Sequence, residues 1–425
     1  MTLSLVLLFL VMVSKAQKDV TPSGSNQPIP TPASEKDSCL ECHKEMGDQL
    51  AAPVTAMEED VHKKRGLSCA NCHGGDPTSD DPTLAMSPAK GFIARPKPVE
   101  VARFCGKCHS DAEFMKRFNP AQRVDQETEY NSSVHGKRIK QGDAKPATCI
   151  SCHGAHGIRE VNNPNAPVFA LNVAQTCGQC HANAEYMKSY GIPTDQLHKY
   201  NQSVHAEALI KKQDLSAPTC NDCHGNHGAA PPGVASVSNV CGTCHARQAE
   251  LFDKSPHKTP FEAADMAGCV VCHQNHQILT PADNMLGVGE KSVCTSCHTE
   301  DAGFQGSQKM GELIVGLNHH INQTEDLLNR VAITGMEVSR PMFDLKEARD
   351  KLINARVLIH NFSPSAIETA VNQGMDISKK ANQAGQDALS ELQFRRKGLA
   401  ASLIIILLAV AAIYLKIRQV ERRAL

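Results

Sequence analysis

Two uninterrupted apolar runs lie near the two ends of the chain and predict segments that enter a membrane. Residues 399–415 read LAASLIIILLAVAAIYL and carry no charge. As a helix this run would span about 25 Å, close to the hydrocarbon thickness of a bilayer. A buried core helix is the alternative, and the uniform apolarity of the run argues against it. We therefore predict one transmembrane helix over residues 398–416, which serves as an anchor.

The second apolar run, LSLVLLFLVMV at residues 3–13, is shorter and is followed by small residues around Ala16. This pattern is typical of a cleaved signal peptide, which we place at residues 1–16. An uncleaved anchor is the alternative, but the run is short for a membrane span. The Pro- and Ser-rich stretch that follows, residues 17–37, predicts a flexible tether.

Helical periodicity appears only in the last third of the chain. Apolar and small residues recur there at spacings of three and four, and the first such face comprises Leu313, Leu317, His320, Thr324, Leu327 and Val331. This phase turns His320 inward and His319 outward. Further helices are predicted over residues 343–361 and from Pro364 onward. Residues 301–397 should therefore form an antiparallel helical hairpin or three-helix bundle.

Residues 38–300 show no clear helical periodicity and contain a sequence repeat instead. VARFCGKCHSDAEFMK at 101–116 matches VAQTCGQCHANAEYMK at 173–188. Each repeat contains one Cys-x-x-Cys-His motif, an isolated histidine, a second motif and, as a rule, a histidine three residues beyond it. The spacings drift from one repeat to the next, so we expect a mostly irregular and α-helical chain and not a rigid solenoid.

The cysteines show what fills the interior of this chain. It has no Trp and only 5 Tyr and 12 Phe in 425 residues, whereas all 18 cysteines fall in nine Cys-x-x-Cys-His motifs. The motif cysteines are Cys39, Cys42, Cys69, Cys72, Cys105, Cys108, Cys149, Cys152, Cys177, Cys180, Cys220, Cys223, Cys241, Cys244, Cys269, Cys272, Cys294 and Cys297.

Three kinds of site use paired cysteines. Structural disulfides need no histidine at a fixed place. Zinc ribbons do not require one directly after the second thiolate. Covalent c-type haem does, because the two cysteines form thioethers to the porphyrin and the adjacent histidine binds the iron. We therefore predict nine c-type haems, whose planes replace the missing aromatic side chains in the packing.

The motif histidines should be the proximal iron ligands: His43, His73, His109, His153, His181, His224, His245, His273 and His298. Because c-type haem is attached outside the cytoplasmic membrane, residues 38–300 should lie on its periplasmic face. The tail at 417–425 should then be cytoplasmic.

Eleven further histidines are available for the second axial positions. A trailing histidine such as His156 cannot reach the iron already held by His153, so it should bind a neighbouring haem. We predict as distal ligands His62, His135, His156, His205, His227, His257, His276, His320 and His360. His198 remains the alternative to His360, and His319 the alternative to His320.

The nine motifs, together with the repeated SVH…CxxCHGxH pairing, resemble the membrane-anchored multihaem c-type cytochromes of bacterial anaerobic respiration. The resemblance implies a mostly irregular and α-helical chain that wraps around stacked haems with two histidine ligands each. It also implies electron transfer between a membrane quinol oxidoreductase or cytochrome b-type subunit and periplasmic cytochromes or extracellular acceptors.

The alternative function is a multihaem reductase or oxidase of small nitrogen or sulfur compounds such as nitrite, hydroxylamine or tetrathionate. Such an enzyme needs one iron with an open distal position, often marked by a lysine in place of the motif histidine, and none of the nine motifs has one. No catalytic residue is predicted. The formal charge is −1, and haem propionates would make the surface acidic and attract basic partner cytochromes. No basic stripe with aromatic residues suggests a nucleic-acid partner.

Overall fold

The computed structural model describes residues 37–228 and 237–424. The predicted signal peptide and nearly all of the tether lie outside the described residues. Within the described part the chain is helical or irregular and contains no β-strand, as the sequence predicted. It divides into two compact units. Of the described residues, the first comprises 37–97, Phe104–Val124 and His156–Ile158, and the second comprises Pro98–Arg103, Asp125–Ala155, 159–228 and 237–424.

Short helices make up the motif-bearing part of the chain. Those that begin before residue 125 are Ser38–Glu45, Asp48–Met57, Val61–Lys64, Cys69–His73, Pro82–Ala85, Pro98–His109 and Ala112–Lys116, with a 3₁₀ turn at Pro88–Lys90. Later ones are Gln126–Ser132, Val134–Lys140, Cys149–His153, Ala170–His181, Ala184–Met187, Gln196–Asn201, Val204–Ala206, Cys220–His224, Ala246–Asp253, Lys258–Ala263 and Gly268–His273. A π-helical turn spans Glu207–Lys211, and 3₁₀ turns span Lys188–Tyr190, Val237–Thr243, Asp283–Met285 and Cys294–Ser296.

Three long helices follow. They span Ala302–Ile333, Ser339–Leu358 and Pro364–Ala424, with a 3₁₀ turn at Ile359–Asn361. All three contribute to one apolar core, in which Ile314, Leu317, Ile321, Leu328 and Ile367 are fully buried. On the first long helix His320 is half-buried and His319 is exposed, as the predicted phase required. The centre of the buried face is shifted slightly, from Leu313 and Leu327 to Ile314 and Leu328.

The third long helix continues without a break into the apolar run. From Leu399 to Val420 its large apolar side chains are exposed, and the helix is long and apolar enough to cross a membrane. No other helix in the described residues meets that criterion. Exposure of so many apolar side chains to water would be unfavourable, which suits a segment surrounded by lipid.

Polar contacts join the long helices to the preceding loop within the second unit. The Arg356 guanidinium donates two hydrogen bonds to the Asp283 carboxylate, at 2.9 and 2.8 Å. Asn318 donates to the same carboxylate at 3.1 Å. A bidentate pair of this kind fixes direction as well as distance. These contacts hold the loop before the ninth motif against the first two long helices.

Candidate haem-ligand pairs

The second motif of each of the first three repeats forms a single helical turn with a matched cap. Ser68, Thr148 and Thr219 precede the first cysteine, and their backbone N–H groups donate to the side chains of Asn71, Ser151 and Asp222. This reciprocal capping stabilises a helix too short to persist alone. The turn places the two cysteines three residues apart on one face, where both thiols can meet one porphyrin edge.

A residue with positive φ ends each of these motif helices directly after its histidine. Gly74, Gly154 and Gly225 have φ values of 72°, 83° and 76°, a region that glycine enters without steric cost. Gln274 has the same position and conformation after the eighth motif, with φ 62°. The backbone turns sharply there. After Gly154, Gly225 and Gln274, this turn is followed by the histidine that lies three residues beyond the motif.

A buried capping residue precedes the isolated histidine in each of the four repeats. A buried oxygen-bearing residue, Asp60, Ser133, Ser203 or Ser255, lies two positions before His62, His135, His205 and His257, respectively. The Asp60 carboxylate accepts from the backbone N–H of His62 at 2.8 Å, and the Ser203 hydroxyl accepts from that of Ala206 at 3.1 Å. These oxygens cap the turn that carries the histidine and so fix its direction.

Eight of the nine motif histidines lie opposite a histidine that belongs to no motif. The ring centroids are 5.8 to 6.3 Å apart. The pairs are His73 with His156, His109 with His62, His153 with His227, His181 with His135, His224 with His276, His245 with His205, His273 with His360, and His298 with His257. No pair joins two motif histidines.

The spacing of these pairs fits an iron ion held between two imidazoles. A metal–imidazole nitrogen bond is about 2 Å long, and the nitrogen lies roughly 1 Å from the ring centre, so two such ligands place their centroids about 6 Å apart. Ordinary ring contacts occur over a broader range of distances. Eight pairs of the same composition and nearly the same separation therefore match the geometry that two axial ligands require.

The pairs follow a rule along the chain, with the motifs numbered one to nine from His43 to His298. Motifs three, five, seven and nine each face the isolated histidine of the preceding repeat. Motifs two, four and six each face the trailing histidine of the following repeat, and motif eight faces His360. Neighbouring repeats are thereby interlocked, each supplying a histidine to the next.

Hydrogen bonds orient several of the paired rings. Nδ1 of His62 lies 2.9 Å from the Asp60 carboxylate and that of His298 lies 2.8 Å from Asp301. Nδ1 of His73 and of His360 lie 2.7 and 2.9 Å from backbone carbonyl oxygens. An Nδ1–H donated in this way leaves Nε2 free for a metal, the arrangement usual for metal-binding histidines.

Burial favours the neutral, metal-binding form of several of the paired imidazoles. It lowers the pKa of His153, with a smaller effect from the charge of His227. The same two causes lower the pKa of His273 and His257, where the neighbouring charges are His360 and His298. A neutral ring at physiological pH does not have to lose a proton before it binds iron.

Four histidines are not in such pairs. His43 has no ring partner within the first unit, and His198, His319 and His320 have none within the second. The structure thus departs from the expected distal set at His320. The helix phase turns this ring inward as predicted, but there its Nδ1 meets the Ser378 hydroxyl at 2.8 Å and no motif histidine. His360, in contrast, lies opposite His273, and Nε2 of the alternative candidate His198 is 2.7 Å from the Gln202 amide.

Thiols of consecutive motifs lie close enough to influence one another. Burial raises the pKa of Cys72 to about 11, with the charge of Cys108 contributing. Cys177 and Cys220 share a hydrogen bond, as do Cys241 and Cys269. Further interacting pairs are Cys39 with Cys69, Cys152 with Cys180, Cys223 with Cys244, and Cys272 with Cys294. Within each structural unit, successive motifs are therefore neighbours in space.

No group of three or more His, Cys, Asp or Glu side chains in the described residues could hold a metal ion by itself. A structural zinc site needs about four such ligands. The histidines instead converge two by two, which leaves the remaining coordination of an iron to a porphyrin. The site geometry thus favours haem over the zinc alternative.

Comparison with known proteins agrees with this geometry. Three family models match parts of the chain: Cytochrome c3 over residues 61–182, a doubled CXXCH motif over residues 259–303, and Cytochrome c554 and c-prime over residues 12–74. The chain is a multihaem c-type cytochrome. Its motifs and family matches indicate covalently bound haems, and this class is consistent with electron transfer.

One curated relative shows how far the similarity extends. The cytochrome is similar to the C-type polyheme cytochrome OmcC of Geobacter sulfurreducens, with 22% identity over 276 residues, which are 61% of this chain and 30% of that protein. The match thus covers less than a third of the relative's length. No solved structure matches the chain.

Sequence reasoning found every member of the eight pairs but not which histidine faces which. It also missed the capping residues two positions before the isolated histidines. A signal for these was present, because Asp-Val-His, Ser-Val-His and Ser-Pro-His share an N-cap residue at one offset. His43 without a partner was not anticipated.

Proposed function

We propose that this cytochrome conducts electrons through nine covalently bound c-type haems. The observation that carries the proposal is the set of eight histidine pairs with centroids about 6 Å apart. In this proposal the motif histidine of each pair is the proximal ligand and the other histidine is the distal ligand. Bound haem supplies the redox chemistry. At the eight paired motifs the chain's own residues would hold the iron from both sides, and hydrogen bonds from several of the rings would orient them.

The order of motifs supports a path through neighbouring haems within each structural unit. Because thiols of successive motifs interact within each structural unit, haems attached to them would be neighbours in chain order. At the eight paired motifs, two histidine ligands per iron leave little room for substrate, and they favour low reduction potentials, since a methionine ligand is what raises them. The proposed role is therefore transfer of electrons along the chain, without conversion of a substrate.

The proposed location follows from the third long helix. Its apolar part would anchor the cytochrome in the cytoplasmic membrane, with the haem region on the periplasmic face. The three long helices would form an antiparallel bundle between the two. The donor would be a membrane quinol oxidoreductase or cytochrome b-type subunit, and the acceptors periplasmic cytochromes or extracellular compounds. An acidic surface of haem propionates would steer basic partners to it.

The test of this proposal starts with haem content. Intact mass spectrometry of the purified, full-length protein should give the mature polypeptide plus nine haem units, and a reductive titration followed by EPR should show predominantly low-spin iron. A count of seven or fewer would contradict the attachment of haem at every motif.

Two variants with matched chemistry test the ligand assignment. His360→Ala should convert the iron at His273 to high spin, because its opposing imidazole is lost. His320→Ala, a change of the same size on a neighbouring long helix, should leave the spin states unchanged. The reverse outcome would return His320 to the distal set and remove His360 from it.

A further inference from the structure

We propose that the iron of the first motif has no histidine as its second axial ligand and binds a small neutral molecule there. This inference rests on the proposed function, because it requires haem at Cys39 and Cys42 with His43 as the proximal ligand. It concerns one motif alone, and the other eight keep two histidines each.

The first structural unit has an odd number of histidines, so one of them is without a partner in that unit. That unit contains five of them: His43, His62, His73, His109 and His156. His62 faces His109 and His73 faces His156. His43 is left over within the unit. Each of the other four histidines already lies at the separation that an iron between two imidazoles requires, so none can also serve the iron at His43.

The pairing rule sets the first motif apart from the other odd-numbered motifs. Every other odd-numbered motif takes its partner from the repeat that precedes it. Residues 1–38 contain no histidine. The nearest isolated histidine in sequence, His62, is held instead by Asp60, whose carboxylate also accepts from the backbone N–H of Ile158 at 2.8 Å. Asp60 thus fixes His62 beside the segment that carries His156.

The histidines that remain in the second structural unit have other surroundings. His198 lies beside the Gln202 amide and His320 beside the Ser378 hydroxyl. His319 is exposed on the outer face of its helix. None of the three lies opposite a motif histidine of that unit.

The surroundings of His43 favour an uncharged ligand. The motif lies on the helix Ser38–Glu45, where Cys42 is exposed and His43 is half-buried. Glu41, Glu45 and Asp48 are exposed nearby in the chain, against a single lysine, Lys44. Negative charges around a site repel anions such as nitrite and do not oppose a neutral diatomic molecule. Carbon monoxide is therefore the probe of choice for the reduced protein.

The experiment uses the full-length, nine-haem protein and two spectroscopic readouts. EPR of the oxidised form should show one high-spin iron among low-spin ones, and CO titration of the reduced form should saturate at one CO per nine haems. The haem count is measured first on the same sample. A count below nine would contradict haem attachment, whereas nine low-spin haems that bind no CO would overturn this inference alone.

Matched variants place the signal on the first motif. Cys39→Ala with Cys42→Ala should remove one haem, the high-spin signal and the CO binding together. Cys294→Ala with Cys297→Ala, which removes the haem of a paired motif, should lower the haem count equally and leave CO binding intact. If either double variant fails to accumulate, His62→Ala provides another measurement: it should raise the stoichiometry from one CO to two. A high-spin iron that survives loss of the first motif, or a ninth iron with histidine–methionine ligation, would overturn the proposal.

Discussion

At the scale of single residues, Asp60 orients the isolated histidine His62 and joins it to the segment at Ile158. Its side chain is 1% exposed and accepts hydrogen bonds from the ring and backbone of His62 and from the backbone of Ile158. Burial disfavours its charge, yet the bonds from His62 and Ile158 hold the pKa of this carboxyl below its usual value. The ionised carboxylate can therefore hold His62 in one tautomer and one direction.

Replacing Asp60 by Ala should loosen His62 as a distal ligand. Loss of such an outer acceptor typically costs about 10- to 100-fold in ligand affinity, so we expect part of the iron at His109 to become high-spin and to bind CO. Asp60→Asn, which keeps an oxygen acceptor, should retain most of the low-spin state. Asp76→Ala, which removes a carboxylate bonded to Lys90 in the same unit, should change neither spectrum, and equal effects of all three variants would refute the orienting role.

A serine cap gives a second prediction at this scale. Ser203 is 2% exposed, and its hydroxyl caps the turn that carries His205. Ser203→Ala should lower the free energy of unfolding by about 1 kcal/mol, seen as a lower melting temperature. Ser189→Ala, at an exposed serine in the same unit, should have almost no effect, and a similar loss from both changes would exclude capping as the cause.

The type of site was predictable from sequence because the motif identifies the cofactor without knowledge of the fold. Cys-x-x-Cys-His indicates haem wherever it lies, and isolated histidines are natural second ligands. The partner of each histidine was not predictable. His73 and His156, for example, are separated by more than eighty residues, and only the folded chain determines that they face each other.

At the scale of elements, the three long helices show where helical periodicity succeeds and where it stops. The pattern placed Leu317, Thr324 and Val331 inside, and all three are buried. It could not say what His320 would meet there. The third long helix presents Ser378 to that ring, and Asn382 donates to the Thr324 hydroxyl at 3.1 Å. A polar layer of this kind inside a helical bundle often fixes register, which accounts for His320 without an iron.

Leu317 provides the prediction for this element. Its side chain is fully buried against the third long helix, near Gly374. Leu317→Ala should lower the stability of the helical region by about 2–5 kcal/mol, because a cavity remains where the side chain was. Val315→Ala, at a position 50% exposed on the same helix, should cost far less. Far-UV circular dichroism during thermal unfolding measures both, and equal losses would mean that the core does not lie where we describe it.

At the scale of the whole molecule, the last helix is continuous but has two parts, one packed in the apolar core and one with exposed apolar side chains. Up to Ala388 its inner face packs in the core of the long helices, whereas from Leu399 onward the large apolar side chains are exposed. Each large apolar side chain left in water forgoes about 1.5–3 kcal/mol of burial free energy. Thirteen exposed large hydrophobic side chains between Leu399 and Val420 would be hard to keep soluble, and insertion into a bilayer would remove that cost.

A chain that ends before Gly398 should therefore separate anchoring from haem binding. Because none of the eight histidine pairs and no motif lies beyond residue 360, the shortened protein should carry its full haem complement and leave the membrane fraction for the soluble one. The full-length protein, expressed in parallel, should be released only by detergent. Haem stain and spectra of the two fractions measure both properties at once. If the shortened chain stays with the membrane while fully loaded with haem, then attachment occurs through an uncleaved N-terminal segment or a membrane partner of the long helices, and the apolar run is not the anchor.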